Sequence, residues 1–201
     1  PREGNPLLAR LGLEKAFVVQ WLGNMGRTHA LEDVLESAAR LRGRGDIHFL
    51  LVGEGAKRAF VEREARRLGL GNVTLLPPCE RAELALHLAA CDLSVIAFLP
   101  GMAGVSVPSR LYNVLASGRP VLSAAEADSE LSGVVEESGA GWTVPPGDAA
   151  RMTAAIVAAA GADPRVRAEM GARARRAAET RYSRAAVLRE WRALFDQDWG
   201  R

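Results

Sequence analysis

Phe17-Val18-Val19-Gln20-Trp21-Leu22 closes on Gly23; Leu31, Val34, Leu35, Ala38 and Leu41 then recur at helical spacing between Thr28 and Arg42; Ile47-His48-Phe49-Leu50-Leu51-Val52 closes on Gly53. Two near-continuous apolar runs flanking an amphipathic helix make a β-α-β unit. Strands that are apolar on both sides, rather than alternating, are buried on both faces. That requires a parallel sheet with helices above and below it.

The alternation continues outward. Helical patterns cover 56–68, 81–90, 109–117 and 130–137, and strands cover 72–76, 92–98, 120–123 and 141–144. Pro77-Pro78 stops the third strand. From Asp148, a good N-cap residue, the chain reads as wholly helical to Trp199. The predicted fold class is therefore α/β: a Rossmann-like parallel sheet with helices on both faces and a helical C-terminal tail. The expected domain bounds are 1–15 as the remnant of an interdomain linker, 16–182 as the Rossmann-like domain and 183–201 as a C-terminal helix. The opening Pro1-Arg2-Glu3-Gly4-Asn5-Pro6 lacks a methionine and reads as a cut inside a longer chain. Trp191, Leu194, Phe195 and Trp199 form an apolar set in the last helix, expected to dock partly on something outside residues 1–201.

With 201 residues, 48% of them hydrophobic and 25% charged, the chain can bury one domain core in the manner of an ordinary soluble protein. A net charge of +2 argues against a dedicated nucleic-acid binder, which carries a basic face or stripe. Cys79 and Cys91 lack partners at metal-ligand spacing and read as free thiols in a reducing cytoplasm. His29, His48 and His87 do not cluster, so no metal site is predicted. No apolar run is long enough to span a membrane. The four tryptophans read as core or docking residues, and Arg173-Ala174-Arg175-Arg176 as one solvated helix face.

In an open parallel sheet, ligands bind beyond the carboxyl ends of the strands. Three strand-end loops stand out. Gly23-Asn24-Met25-Gly26-Arg27-Thr28 joins a strand to a helix, the context of a phosphate loop: glycines let N–H groups approach an anion, and Arg27 adds charge. Gly53-Glu54-Gly55-Ala56-Lys57-Arg58 repeats the arrangement. Each of these also reads, by itself, as an ordinary turn with solvated bases. The third, Ser106-Val107-Pro108-Ser109-Arg110, opens a helix with free N–H groups, hydroxyls and an arginine, in form a diphosphate cradle. One turn on, Asn113 lies where it could reach a ribose.

From about Phe17 onward the chain resembles the C-terminal domain of family-4 glycosyltransferases, which have the GT-B fold. The landmarks are the Gly23-Asn24 loop, Val52-Gly53-Glu54-Gly55, Leu88-Ala89-Ala90-Cys91-Asp92-Leu93, Leu115-Ala116-Ser117-Gly118-Arg119-Pro120-Val121 and Gly141-Trp142-Thr143-Val144-Pro145-Pro146-Gly147-Asp148, in that order. Pro108-Ser109-Arg110-Leu111-Tyr112-Asn113 is similar to the branch acting in surface-polysaccharide synthesis. The resemblance implies a donor-binding domain of a retaining enzyme that takes a nucleoside-diphosphate sugar, UDP favoured and GDP admitted, with no cofactor and no required metal. It implies donor diphosphate binding by Gly23, Asn24, Arg27, Lys57, Ser106, Val107, Pro108, Ser109 and Arg110, with Arg27 and Arg110 stabilising the leaving group. Ribose and base fall to Asn113, Pro78 and Gly53. The acceptor domain would be an absent N-terminal half, through which a cytoplasmic enzyme could meet the inner membrane face, and the domain alone is expected not to turn over. The family's first-loop Arg and following Lys fall on Asn24 and His29, and its pair of glutamates on Val105 and Asn113. A UDP-sugar 2-epimerase-like GT-B enzyme and a catalytically silent binding or interaction module are the alternatives. A nicotinamide-dependent domain is disfavoured because G-x-G-x-x-G is missing.

Overall fold

The computed structural model describes residues 2–199, with side chains through Asp196. Six strands form one wholly parallel sheet: β1 (Phe17–Leu22), β2 (Ile47–Val52), β3 (Val73–Leu76), β4 (Leu93–Ala97), β5 (Val121–Ala124) and β6 (Gly141–Val144). Their order is β3-β2-β1-β4-β5-β6, so the chain reverses its direction of winding between β1 and β4. The strands project alternate residues into two cores. Val19, Trp21, Phe49, Leu51, Leu93 and Val95 pack under α2 (Leu31–Arg40), α3 (Arg58–Arg67) and α7 (Ala149–Gly161). Val18, Leu22, Leu50, Val52, Ile96 and Val121 pack under α1 (Pro6–Leu11), α4 (Leu84–Ala89), α5 (Arg110–Ala116), α6 (Glu130–Ser138) and α8 (Pro164–Thr180). Both faces are thus covered, as the uninterrupted apolar strands require.

Two parts of the chain differ from the sequence-based expectation. The segment read as a linker remnant contains α1, capped by Asn5, whose side-chain oxygen accepts from the N–H of Leu7 at 2.9 Å. Leu7 and Leu8 are fully buried, and Arg2 pairs with Asp92 at 2.8 Å, so residues 2–12 are tied to the sheet domain. The stretch that reads as wholly helical from Asp148 is divided into three helices, the last of which falls where the C-terminal helix is expected. Asp163 caps α8 with Pro164 in its first turn, a start signal that ends the preceding helix, and α9 (Arg184–Trp199) begins after a break at 181–183.

The arginines of α8 are not all solvated. Arg173 Nε donates to the Gly139 carbonyl at 2.9 Å and Arg175 Nη1 to Ala116 at 2.6 Å. Each cation thereby satisfies carbonyls at the C-terminal end of α6 or α5, where the helix dipole is negative. α8 sits that close because Gly171 faces Gly118: a Cβ on Gly171 would lie 2.3 Å from the Gly118 oxygen. In α9, Trp191, Leu194 and Phe195 are all more than half exposed, while the side chain of Trp199 lies outside the described residues. Among the described residues, no helix is long and apolar enough to cross a membrane.

Candidate functional site

The reversal between β1 and β4 places the loop after β1 beside the loop after β4, at one edge of the sheet. Gly23 ends β1 with φ +131°, and Gly53 ends β2 with φ +146°. The two crests touch: a Cβ on Gly53 would lie 1.9 Å from the Gly23 oxygen. Only a residue with no side chain lets the strand ends approach so closely, and this keeps the floor of the site open.

Two cavities share this floor. The first, about 370 Å³, is walled by Leu22, Val52, Pro78, Cys79, Leu84, Leu88 and Val114, with Gly23, Asn24, Gly53, Glu54, Arg110 and Asn113 supplying backbone and polar groups. The second, about 310 Å³, is lined by Gly23, Asn24, His29, Phe98, Ser106, Val107, Pro108, Ser109, Arg110 and Asn113. Gly23, Asn24, Arg110 and Asn113 belong to both, so the cavities adjoin across Arg110. Among the described residues Arg110 is the only cation lining either.

Arg110 is the first residue of α5. Its guanidinium crosses back over β1, with Cζ 4.2 Å from the centroid of the Trp21 ring. Nη2 reaches the Asn24 carbonyl only at 3.4 Å, and Nη1 is buried with no partner among the described residues. Burial pulls its pKa down to about 10, which leaves it cationic at neutral pH. A desolvated cation with an empty donor and no carboxylate beside it is costly unless an anion supplies the missing contacts; the indole face offsets part of that cost. The backbone N–H groups of Ser106, Val107, Ser109 and Arg110 also have no protein acceptor among the described residues. Ser109 caps α5 without a side-chain bond, so these amides remain available to a ligand.

The sequence-derived candidates divide accordingly. Gly23, Asn24, Ser106, Val107, Pro108, Ser109, Arg110 and Asn113 converge on the second cavity, and Gly53 and Pro78 on the first. Lys57 does not join them: its ammonium donates to the His29 carbonyl at 2.7 Å and pairs with Glu32 at 2.8 Å, which commits it to holding the first loop. Arg27 is exposed and lines neither cavity. Val105, standing where the resembling family has its first glutamate, is 69% exposed and offers no polar side chain.

Trp21 and His29 were missed as site residues. Trp21 is fully buried, as a core residue should be, yet its face is the platform for Arg110. His29 packs edge-on to Trp21 and stacks on Phe98 at 5.2 Å. Burial, then the charge of Arg110, lowers its pKa to about 4. The signals in the sequence were its place directly after the first glycine loop and its match to the position where the resembling family has a lysine. Among the described residues no group of three or more His, Cys, Asp or Glu could hold a metal ion.

Residues 16–161 match the family model described as "Glycosyl transferases group 1". "Probable glycosyltransferase WbjE" of Pseudomonas aeruginosa is 34% identical over 154 residues, 74% of this chain and 37% of that protein. WcaI of Escherichia coli (strain K12), whose name places it among colanic acid biosynthesis glycosyl transferases, is 34% identical over 119 residues, 59% of this chain and 29% of that one. The chain thus spans well under half the length of these two relatives. Among solved structures, Anabaena Alr3699/HepE in complex with UDP superposes with a TM-score of 0.81 at 20% identity, over 96% of this chain and 52% of that one. The same protein with UDP-glucose gives a TM-score of 0.79, with 96% and 52% covered at 20% identity.

Proposed function

The chain belongs to the group 1 glycosyl transferases, as the C-terminal domain of their GT-B fold, and on that premise we propose that its adjoining cavities bind a nucleoside-diphosphate sugar. The observation that carries this reading is the unpartnered Nη1 of Arg110 between an apolar cavity and a polar one. The nucleoside enters the first cavity, its base against Pro78 and its ribose at Asn113. The diphosphate lies across the junction on Arg110 and the backbone N–H groups of Ser106, Val107, Ser109 and Arg110, and the sugar enters the second cavity. UDP is the favoured nucleotide because HepE was solved with UDP and with UDP-glucose.

In the whole enzyme the bond from the anomeric carbon to the β-phosphate oxygen breaks, and a bond to an acceptor oxygen forms on the same face. The acceptor proton leaves to the departing phosphate. Negative charge grows on that phosphate, and fixed N–H donors beside a cation stabilise it more than they stabilise the bound substrate. Acceptor and opposing wall would come from an N-terminal half, so residues 1–201 alone bind donor but do not transfer sugar. Since the name of WcaI places it in colanic acid biosynthesis, the acceptor on this reading belongs to polysaccharide or glycoconjugate synthesis, with the enzyme in the cytoplasm or at the inner membrane face.

Thermal unfolding tests the donor reading. UDP or UDP-glucose at about 100 times its dissociation constant should add roughly 2.7 kcal/mol of stability, and uridine at equal concentration much less. No stabilisation by either nucleotide would refute it. Val105 and Asn113 at the family's glutamate positions favour one second reading, a silent donor-binding module; donor binding without transfer by the full-length protein would establish it. The exposed Trp191, Leu194 and Phe195 of α9 form the contact to the N-terminal half. Backbone amides of 188–195 should therefore exchange hydrogen more slowly in the full-length protein than in residues 1–201, and equal rates would exclude that contact.

A further inference from the structure

We propose that His29 is a specificity-determining residue of the second cavity: an uncharged imidazole whose Nε2–H donates a hydrogen bond to a hydroxyl of the transferred sugar. This rests on the reading of the two cavities given above. His29 Nδ1 accepts the Gly26 N–H at 3.1 Å. A ring nitrogen that accepts carries no proton, so the neutral ring holds its proton on Nε2. Nε2 has no acceptor among the described residues, yet it is not among the atoms shut off from solvent. With one ring face stacked on Phe98 and the Trp21 indole packed against the ring, the Nε2 edge is left to the second cavity, which His29 lines.

The surroundings hold the ring neutral. Arg110 from α5 and Lys57 at the start of α3 both oppose a second proton. No carboxylate among the described residues counters them, and Glu32 of α2 is paired with Lys57. Burial acts in the same direction, and the pKa near 4 follows. An uncharged donor suits a sugar hydroxyl, which accepts a hydrogen bond and carries no charge. The diphosphate already meets its cation at Arg110, on the side nearer the nucleoside cavity. Arg110 lines both cavities, whereas His29 lines only the second, the one assigned to the sugar.

The test compares H29F and H29Q with the unsubstituted chain by calorimetric titration against UDP and UDP-glucose. Phenylalanine keeps the stack and removes both the Nε2 donor and the Nδ1 acceptor of the Gly26 N–H; glutamine offers an amide N–H of similar reach. A single neutral hydrogen bond corresponds to about a 2- to 12-fold change in affinity. H29F should weaken UDP-glucose by that factor while leaving UDP nearly unchanged, and H29Q should recover most of the loss. UDP-glucose carries a diphosphate diester that does not titrate near neutrality, so its affinity for the unsubstituted chain should stay flat from about pH 8 to pH 5.5. Equal weakening of UDP and UDP-glucose by H29F overturns the assignment, as does affinity for UDP-glucose that climbs as pH falls through the ordinary imidazole range. No change in either ligand with H29F also overturns it. Failure of UDP to bind the unsubstituted chain is a different outcome, and it refutes the cavity reading on which the assignment stands.

Discussion

Replacing Arg110 with alanine is expected to weaken UDP binding by about 10-fold to 150-fold, because a hydrogen bond to a charged group contributes roughly 1.5–3 kcal/mol. The guanidinium is preorganised: Trp21 holds its face at 4.2 Å, and Nη1 waits without a partner. Little order has to be imposed on it at binding, so most of the charge-assisted contact appears as affinity. Uridine, which fills only the apolar cavity and has no phosphate, should bind the variant almost as it binds the parent. Arg176, exposed on α8, supplies the control; its alanine variant should change neither ligand. Calorimetric titration of both variants checks this. Equal UDP affinity for Arg110→Ala and Arg176→Ala would remove the diphosphate from the junction and move attention to Arg27.

The second large effect is on stability. Gly53→Ala should cost about 3 kcal/mol or more, since a non-glycine residue in this region of backbone space costs of order 1–3 kcal/mol before any collision. Here φ is +146° and the new methyl carbon would meet the Gly23 oxygen at 1.9 Å. The oxygen cannot yield cheaply, because Gly23 N–H is bonded to the Val52 carbonyl at 2.9 Å and fixes the crest. Gly45→Ala, with open space around its Cβ, should move the denaturation midpoint little. A Gly53→Ala chain within 0.5 kcal/mol of the parent would mean that the two loops part readily and that the shared floor is not rigid.

How far the sequence carried depended on whether a feature is local. The strands were legible because a doubly covered parallel sheet writes an unbroken apolar run into the chain: β1, β2 and β6 begin and end where the runs do. Helix ends were less so. α2 starts at Leu31 rather than Thr28, because 28–30 bridge toward β4 through the His29–Phe98 pair and the bond from Ala30 N–H to the Ala97 carbonyl. The six residues of α1 are too few to carry a periodicity, although Asn5-Pro6 is a start signal and Gly12 a stop. The break at Asp163-Pro164 was equally readable, but a long Ala- and Arg-rich stretch masked it.

The site divided along the same line. The rule that ligands sit beyond strand ends pointed to Gly23, Gly53, Ser109, Arg110 and Asn113, all of which line one or both cavities, since those positions follow from connectivity alone. What Lys57 does could not be read that way, because its partner Glu32 lies on another helix. The Trp21 platform and the stack of His29 on Phe98 arise only once β1 and β4 are neighbours, which joins residues about seventy positions apart. Tertiary adjacency of this kind leaves no mark on local composition.

The most direct measurement is an amide chemical-shift map of isotope-labelled residues 1–201 titrated with UDP. Saturable shifts should appear at Gly23, Asn24, Gly53, Ser109, Arg110 and Asn113, with the α8 amides around Arg176 unmoved. Shifts absent from the 106–110 segment at saturating UDP, or clustered on another face of the sheet, would contradict a nucleoside-diphosphate site at the junction of the two cavities.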